Sequence, residues 1–253
     1  MRTGFIFTML AVASWAQWQA GPPLAGCLLD ERGGLRRLWG VAGNFVVGEL
    51  LAEGVVSAAC PGGGAAIKLE RELQLVDERG AVAGPWQAPP GPALFAYDAA
   101  GWPALVYFVQ ERILYRLHRE GPEPLRPLEE ETVALAWLDR DKALRAVRRA
   151  GRLELLEFVP DDPASDVLVQ TLPGDGPVIA LERGNLLIAD GSRLLLRHAD
   201  GSFRSYAMPD GVAGLRLMGD GWIEAELAGG SARLAVRIAR EELAMFALPE
   251  VAP

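Results

Sequence analysis

The chain has 253 residues, of which 50% are apolar and 23% charged, and its formal net charge is −8. This length suits one large domain or two small ones, and the apolar fraction is high enough for a packed core rather than a disordered chain. The acidic balance argues against nucleic acid and anionic membrane surfaces as partners. With two histidines and two cysteines, a zinc or haem enzyme is not expected, and we predict no bound cofactor.

The first sixteen residues have the pattern of a secretory signal peptide. Arg2 supplies a positive charge, and residues 5–16 form an apolar run. Small residues, Ser14 and Ala16, precede a predicted cleavage site before Gln17. A run of about twelve residues is too short to cross a bilayer, which needs roughly twenty. The sequence therefore predicts export to the periplasm or to the outside of the cell.

A second processing signal lies close behind the first. Leu24-Ala25-Gly26-Cys27 resembles the lipobox of bacterial lipoproteins, which implies acylation of Cys27 and attachment to a membrane. A lipobox normally adjoins the hydrophobic run, but here residues 17–23 intervene. Both interpretations stay open, and a membrane is expected as a partner only if Cys27 is lipidated.

Cys27 and Cys60 are the two cysteines of the chain. In an exported protein without lipidation, their number and the oxidising compartment predict a disulfide between them. Two buried free thiols are the alternative, because sequence alone does not show that the two side chains meet.

Four-residue turns recur along the chain at multiples of about forty residues. They span residues 30–33, 77–80, 118–121 and 198–201, and each ends in a glycine, which supplies the positive φ that such turns often require. Prolines recur in phase with them and close the successive units, at Pro89, Pro127, Pro173, Pro209 and Pro249. Proline is tolerated at a sheet edge because no neighbouring strand needs its missing N–H.

Each unit opens on an apolar strand that contains a small residue. These strands are predicted at residues 55–59, 94–97, 133–137, 178–181 and 212–217, with Ala58, Ala96, Ala136, Ala180 and Gly214 inside them. Small side chains let strands approach one another around an axis. A repeat of about forty residues built from four short strands predicts an all-β fold, a β-propeller of four-stranded blades.

Five complete units are visible, and residues 25–40 have the pattern of the outer half of a sixth. We predict six blades with an incomplete N-terminal blade; the alternative is five blades, with residues 25–40 adding strands to the last blade as a clasp. Residues 141–150 have local helix propensity, but the repeat predicts a strand there. Residues 17–253 are expected to form one monomeric domain. This mature chain resembles secreted bacterial β-propellers of the WD40-like and NHL-like groups in its architecture.

Few residues of the sequence match a pattern that is typical of catalytic sites. His118 and His198 occupy the first position of the same repeated turn and are interpreted as turn residues. A propeller glycosidase would use carboxylates at the ends of inner strands, where Asp98, Asp139 and Glu182 are predicted to lie. Each of the three also fits a residue that ends a strand at a hairpin.

Two further features favour binding. Arg145, Arg148, Arg149 and Arg152 concentrate positive charge in an acidic chain, next to Glu129, Glu130 and Glu131. They predict a docking patch for a charged partner, or alternatively a solvated hairpin. Trp86, Trp102, Trp137 and Trp222 are expected to pack between blades, although any of them would also suit stacking on a sugar or a peptide.

From these features we predict a non-catalytic, exported interaction scaffold that binds a protein or an extracellular ligand. The alternative is a carbohydrate-active or other hydrolytic propeller that uses carboxylates at the centre of the ring.

Overall fold

In the computed structural model, the described residues are 22–98, 100–139, 141–181, 184–219, 221–229, 232–239 and 242–249. The predicted signal peptide, residues 1–16, lies outside these ranges, and so does Glu182. Within the described ranges, no helix is long and apolar enough to span a membrane.

The described chain forms 23 strands in six antiparallel sheets. The first sheet contains β1 (Leu24–Leu29), β2 (Leu35–Val41) and β3 (Asn44–Ala52). The second contains β4 (Val55–Ala59), β5 (Ala65–Leu69), β6 (Glu72–Val76) and β7 (Val82–Gln87), with a short 3₁₀ turn at Pro61–Gly63. The third contains β8 (Ala93–Tyr97), β9 (Pro103–Phe108), β10 (Ile113–His118) and β11 (Gly121–Pro127).

The remaining three sheets repeat this four-stranded order. The fourth contains β12 (Thr132–Asp139), β13 (Lys142–Arg149), β14 (Arg152–Val159) and β15 (Asp162–Pro173). The fifth contains β16 (Val178–Ala180), β17 (Leu186–Asp190), β18 (Arg193–Arg197) and β19 (Phe203–Ala207). The sixth contains β20 (Val212–Gly219), β21 (Trp222–Leu227), β22 (Arg233–Ala239) and β23 (Glu242–Ala247).

These sheets are the six blades of a β-propeller, as the repeat predicts. The predicted opening strands are the innermost strands β4, β8, β12, β16 and β20, and each contacts the next around the axis. Residues 142–149, with their local helix propensity, form strand β13 because both neighbouring strands, β12 and β14, pair with it. Tertiary pairing thus overrides local propensity at this segment.

The first blade has three strands and lacks an innermost one. Strand β20 contacts β4 directly, so the five inner strands close a ring without a member from the first blade. Strand β1 is buried along most of its length, as β5 is in the second blade, whereas the inner strand β4 is half-exposed towards the axis. The first blade therefore corresponds to the outer three strands of a complete one.

This arrangement decides between the two predicted forms of the N-terminal segment. Strands β1 to β3 form a sheet of their own and are not paired through backbone hydrogen bonds with strands β20–β23, so the incomplete sixth blade is confirmed and the clasp is wrong. The predicted outer half of a blade corresponds to two strands, whereas the structure has three in this blade. A turn ending at Gly43, where φ is +81°, reverses the chain and lets β3 pair with β2.

An apolar cluster fills each of the six boundaries between adjacent blades. At the boundary of blades one and two, the structure joins Cys27 of β1 to Cys60 in a disulfide with a Cα–Cα distance of 6.1 Å. At the boundary of blades one and six, Phe45 packs edge-on against Trp222 with ring centroids 5.1 Å apart, and Phe246 adds a third ring. Trp222 is only 4% exposed.

Candidate functional site: the central cavity

The inner strands surround a cavity of about 310 Å³ on the axis of the propeller. Each inner strand contributes aliphatic side chains to its wall, and the first blade contributes Leu29; representatives are Val56, Leu94, Val133, Ile179 and Leu215. These five side chains are half-buried or partly exposed, and all of them except Val56 also pack against the apolar clusters between blades. The volume lies at the lower end of the range for small-molecule sites, which are mostly apolar with a few polar groups.

Two uncharged polar side chains of the wall are engaged in joining strands β4 and β8. Ser57 Oγ accepts a hydrogen bond from the amide of Ala93 at 2.9 Å. The Tyr97 hydroxyl donates to the carbonyl of Ala59 at 3.1 Å. Burial raises the pKa of Tyr97, so this hydroxyl stays protonated and acts as a donor at neutral pH.

The charged group of the wall is Arg216, which belongs to a cluster of two arginines and one glutamate. Arg216 and Glu224 are directly opposed on β20 and β21, and Arg216 Nη1 lies 3.1 Å from Glu224 Oε2. Arg233 Nε and Nη2 both contact Glu224 Oε1. The carbonyl of Leu29 accepts hydrogen bonds from Arg233 Nη2 at 2.8 Å and from Arg216 Nη1 at 3.4 Å.

Two of the three predicted glycosidase carboxylates, Asp98 and Asp139, do not form a site at this cavity. Asp98 Oδ1 accepts the amides of Ala100 and Trp102, both at 2.9 Å, and thereby closes a turn. Asp139 ends β12 and pairs across the hairpin with Lys142. Neither residue lines the cavity, and its described wall contains no carboxylate; Glu182 lies outside the described residues.

The two histidines lie in different blades, as their position in the repeat predicts. His118 ends β10 and its Nε2 lies 3.0 Å from Glu123 Oε2 at the surface. The His198 amide donates to the carbonyl of Ser202 at 2.9 Å and closes the equivalent turn of the fifth blade. Among the residues that the structure describes, no group of three or more histidine, cysteine, aspartate or glutamate side chains could hold a metal ion.

The four arginines of the predicted docking patch do not form one exposed surface. Side chains alternate between the two faces of strand β13, so Arg148 lies on the face opposite to Arg145 and Arg149. Arg145 is 2% exposed and contacts Glu130 and Asp166.

The other three arginines are closer to solvent, but two of them are already paired. Arg149 pairs with Glu130 at 2.6 Å and Glu154 at 3.1 Å. Arg148 lies 3.4 Å from Glu131, and Arg152 is exposed. The acidic run therefore neutralises most of this charge within the protein.

The four tryptophans have different surroundings. Trp222 is buried at the boundary of blades one and six, and Trp102 is half-buried with its Nε1 donating to the carbonyl of Leu117 at 3.2 Å. Trp86 packs partly on the boundary of blades two and three. Trp137 is half-buried and lines the central cavity, which leaves it as the tryptophan best placed to contact a small ligand there.

The charged cluster at the cavity was missed by the sequence reasoning. Arg216 and Glu224 each interrupt an apolar strand, within Leu215–Met218 and Ile223–Ala225, and such interruptions at neighbouring strands are the signal that was available. The Leu29 carbonyl, which accepts hydrogen bonds from both Arg216 and Arg233, is 204 residues away from Arg233 in the chain. No local pattern links residues at that distance.

Comparisons with known proteins support the fold. No protein-family model matches the chain, and no curated protein matches it in sequence. Solved structures do match: the Pan2 WD40 domain of Neurospora crassa (9% identity, 90% of this chain and 80% of that one, TM-score 0.51) and a Bacteroides caccae protein of unknown function (15%, 90% and 100%, 0.52).

A third match is PorZ of Porphyromonas gingivalis, a surface component of the type-IX secretion system (11% identity, TM-score 0.52). The aligned region covers 88% of this chain but 32% of PorZ. At these identities the likeness establishes the propeller architecture.

Proposed function

We propose that this chain is a non-catalytic β-propeller that acts outside the cytoplasm as a binding protein. The observation that carries the proposal is the chemistry of the central cavity. Most glycosidases use two carboxylates that flank one bond, whereas the described wall here is mostly aliphatic and aromatic, with the engaged hydroxyls of Ser57 and Tyr97 and one guanidinium. Such a lining suits binding and orienting a ligand, and it lacks the pair of carboxylates that glycoside hydrolysis uses.

Two further observations support action in an oxidising compartment. The disulfide between Cys27 and Cys60 belongs to a class of bond that persists in exported proteins, and PorZ, which has the same architecture, is a bacterial surface component. Processing before Cys27 would remove Leu24, Ala25 and Gly26 from β1, where Ala25 is 2% exposed. It would also use the Cys27 thiol for acylation, so the packing of β1 favours cleavage after Ala16.

The proposed export is tested by measuring the intact mass of the protein, recovered separately from the soluble and membrane fractions of an expressing bacterium. We expect a soluble species that begins at Gln17 and is lighter by two hydrogens than the reduced chain. A chain that keeps Met1 and two free thiols would overturn export. A membrane-bound species that begins at an acylated Cys27 would show that the mature protein is lipid-anchored and not free.

The non-catalytic part is tested with a panel of chromogenic glycosides, esters and lactones. We expect no hydrolysis above that of a matched Asp98→Asn, Asp139→Asn double variant. Turnover by the unmodified protein that disappears in the double variant would overturn the proposal in favour of a hydrolytic propeller.

A further inference from the structure

The wall of the central cavity is incomplete where the first blade lacks an inner strand. On that side, strand β20 is followed around the ring directly by β4, and the first blade reaches the cavity through Leu29. Arg216 of β20 lines the cavity beside this gap, where the other inner strands present uncharged side chains. The missing strand therefore brings a permanent positive charge to an otherwise uncharged cavity wall.

The charge on Arg216 is only partly balanced by its neighbours. Two guanidinium groups, of Arg216 and Arg233, share the single carboxylate of Glu224, whose side chain is 5% exposed. Arg233 contacts that carboxylate through two nitrogens, whereas Arg216 contacts it through Nη1. The nearby Asp30 carboxylate is engaged by the amides of Arg32 and Gly34 and lies 3.8 Å from Arg36 Nε.

Counted as two guanidinium groups and one carboxylate, this cluster has a net positive charge, and Arg216 is the more exposed of its two arginines. The Arg216 side chain is 42% exposed although it sits in the wall of a cavity. A guanidinium has five N–H donors in a planar fork that matches a carboxylate. Within the protein, Nη1 of Arg216 bonds to Glu224 Oε2 and to the Leu29 carbonyl.

We infer that the central cavity binds a small amphipathic carboxylate, with its apolar chain against the inner strands and its carboxylate on Arg216. The inference rests on the proposed binding function and names the ligand class for the same site. At about 30 Å³ for each water-sized group, a cavity of about 310 Å³ holds roughly ten non-hydrogen atoms. An eight-carbon monocarboxylate has this size, so octanoate is a fitting probe.

The test compares octanoate with octanamide, which has the same shape but no charge, by isothermal titration of the mature protein. We expect octanoate to bind at least tenfold more tightly than octanamide. Arg216→Gln should weaken octanoate binding about tenfold and change octanamide binding less than twofold, because the glutamine keeps the polar reach but loses the charged fork. Arg152→Gln, which removes an equal charge from an exposed site, is the matched control and should change neither.

A second variant locates the site. Ile179→Trp fills the cavity and should abolish binding of both probes, while its far-ultraviolet circular dichroism stays that of the unmodified protein. The comparison of the two probes on the unmodified protein needs no variant, so a poorly folded variant does not remove the test.

Three results would overturn the inference: no octanoate binding at millimolar concentration, equal binding of the two probes with no effect of Arg216→Gln, or unchanged binding in a folded Ile179→Trp. In the second case a ligand still binds the cavity, so the proposed function survives and only the carboxylate is wrong. Failure of the proposed function itself would appear separately, as hydrolysis or as a cytoplasmic chain.

Discussion

The boundary between blades three and four and the two boundaries of blade one all contain an apolar cluster, but they differ in the contacts that supplement it. Between blades three and four, the inner strands β8 and β12 contact each other and a large apolar cluster lies behind them. A row of ion pairs then covers this cluster, with Arg126 and Arg145 sharing Asp166. At this boundary the apolar packing lies between two complete sheets, and ion pairs lie beside it.

Blade one has no inner strand with which to make such a contact. On one side it is joined covalently through the disulfide, and on the other side through the three-ring cluster around Trp222. The backbones approach closely as well: Gly26 has a φ of +139° and lies so near the carbonyl of Met218 that a Cβ would collide with it. An incomplete blade is thus retained by a cross-link and by large aromatic groups in place of a strand.

We expect the largest loss of stability when the aromatic cluster around Trp222 is disrupted. Trp222→Ala should lower the free energy of unfolding by about 3–5 kcal/mol, because it opens a cavity between blades one and six. Urea unfolding measures the change, and Phe203→Ala, which removes an exposed ring from the edge strand β19, should cost less than about 1 kcal/mol. If the two variants are equally destabilised, the cluster does not close the ring.

We expect the second-largest loss of stability when the disulfide is removed. The double variant Cys27→Ala, Cys60→Ala should lose about 2–4 kcal/mol, since the bond closes a loop between residues 33 apart in sequence. A reducing agent should bring the unmodified protein close to the stability of the double variant and leave the double variant unchanged. An unmodified protein that does not respond to reduction while its mass shows two thiols would contradict the bond.

A matched pair of arginines tests the boundary of blades three and four. Arg145→Gln should cost about 2–3 kcal/mol, because it leaves the partly buried carboxylates of Glu130 and Asp166 short of a partner. Arg126 still pairs with Asp166 at 2.5 Å, which limits the loss. Arg152→Gln should change the stability by less than about 0.5 kcal/mol. An equal loss of stability in both variants would contradict the burial of Arg145 and support the predicted single exposed patch of arginines.

The smallest effect depends on pH. Desolvation acts to raise the pKa of Glu130, but hydrogen bonding to Arg145 and the charges of Arg145 and Arg149 outweigh it, and the pKa lies below its ordinary value of 4.5. A carboxyl whose pKa is lower in the folded state stabilises the fold above its unfolded pKa, and this stabilisation is lost as the pH falls through the folded pKa.

Glu130→Gln should therefore cost about 1–2 kcal/mol at pH 7, and the difference from the unmodified protein should shrink as the pH falls below 4.5. Urea unfolding at pH 7 and at acidic pH measures it. Glu129→Gln, at an exposed neighbour in the same acidic run, should show no such dependence, and a constant difference for Glu130→Gln would contradict the ionic explanation.

The sequence predicted the regular part of the ring because the blades can be compared with one another. Ala96 and Ala136 mark equivalent inner strands, and the turns ending at Gly80 and Gly201 mark equivalent hairpins, so each unit supports the assignment of the next. Strand β3 was missed because it lies in the blade that departs from the repeat. The disulfide partners followed from cysteine count and compartment rather than from any sign that β1 and Cys60 are neighbours.

The site was harder to predict for a different physical reason. Blade one lacks an inner strand, and Arg216 of the neighbouring strand β20 lines the cavity beside that gap. The partners that hold it are a carbonyl in β1 and a carboxylate in β21. Repeat comparison detects what the blades share, whereas this site arises where one blade differs.

The two closures of blade one also differ in when they can form as the chain is made. Cys60 follows Cys27 by 33 residues, so the covalent closure needs only the first two blades. Phe45 must wait for Trp222 and Phe246, which belong to the last blade. The disulfide can therefore form before the last blade exists, whereas the boundary between blades one and six is completed only when the final strands bring Trp222 and Phe246 to Phe45.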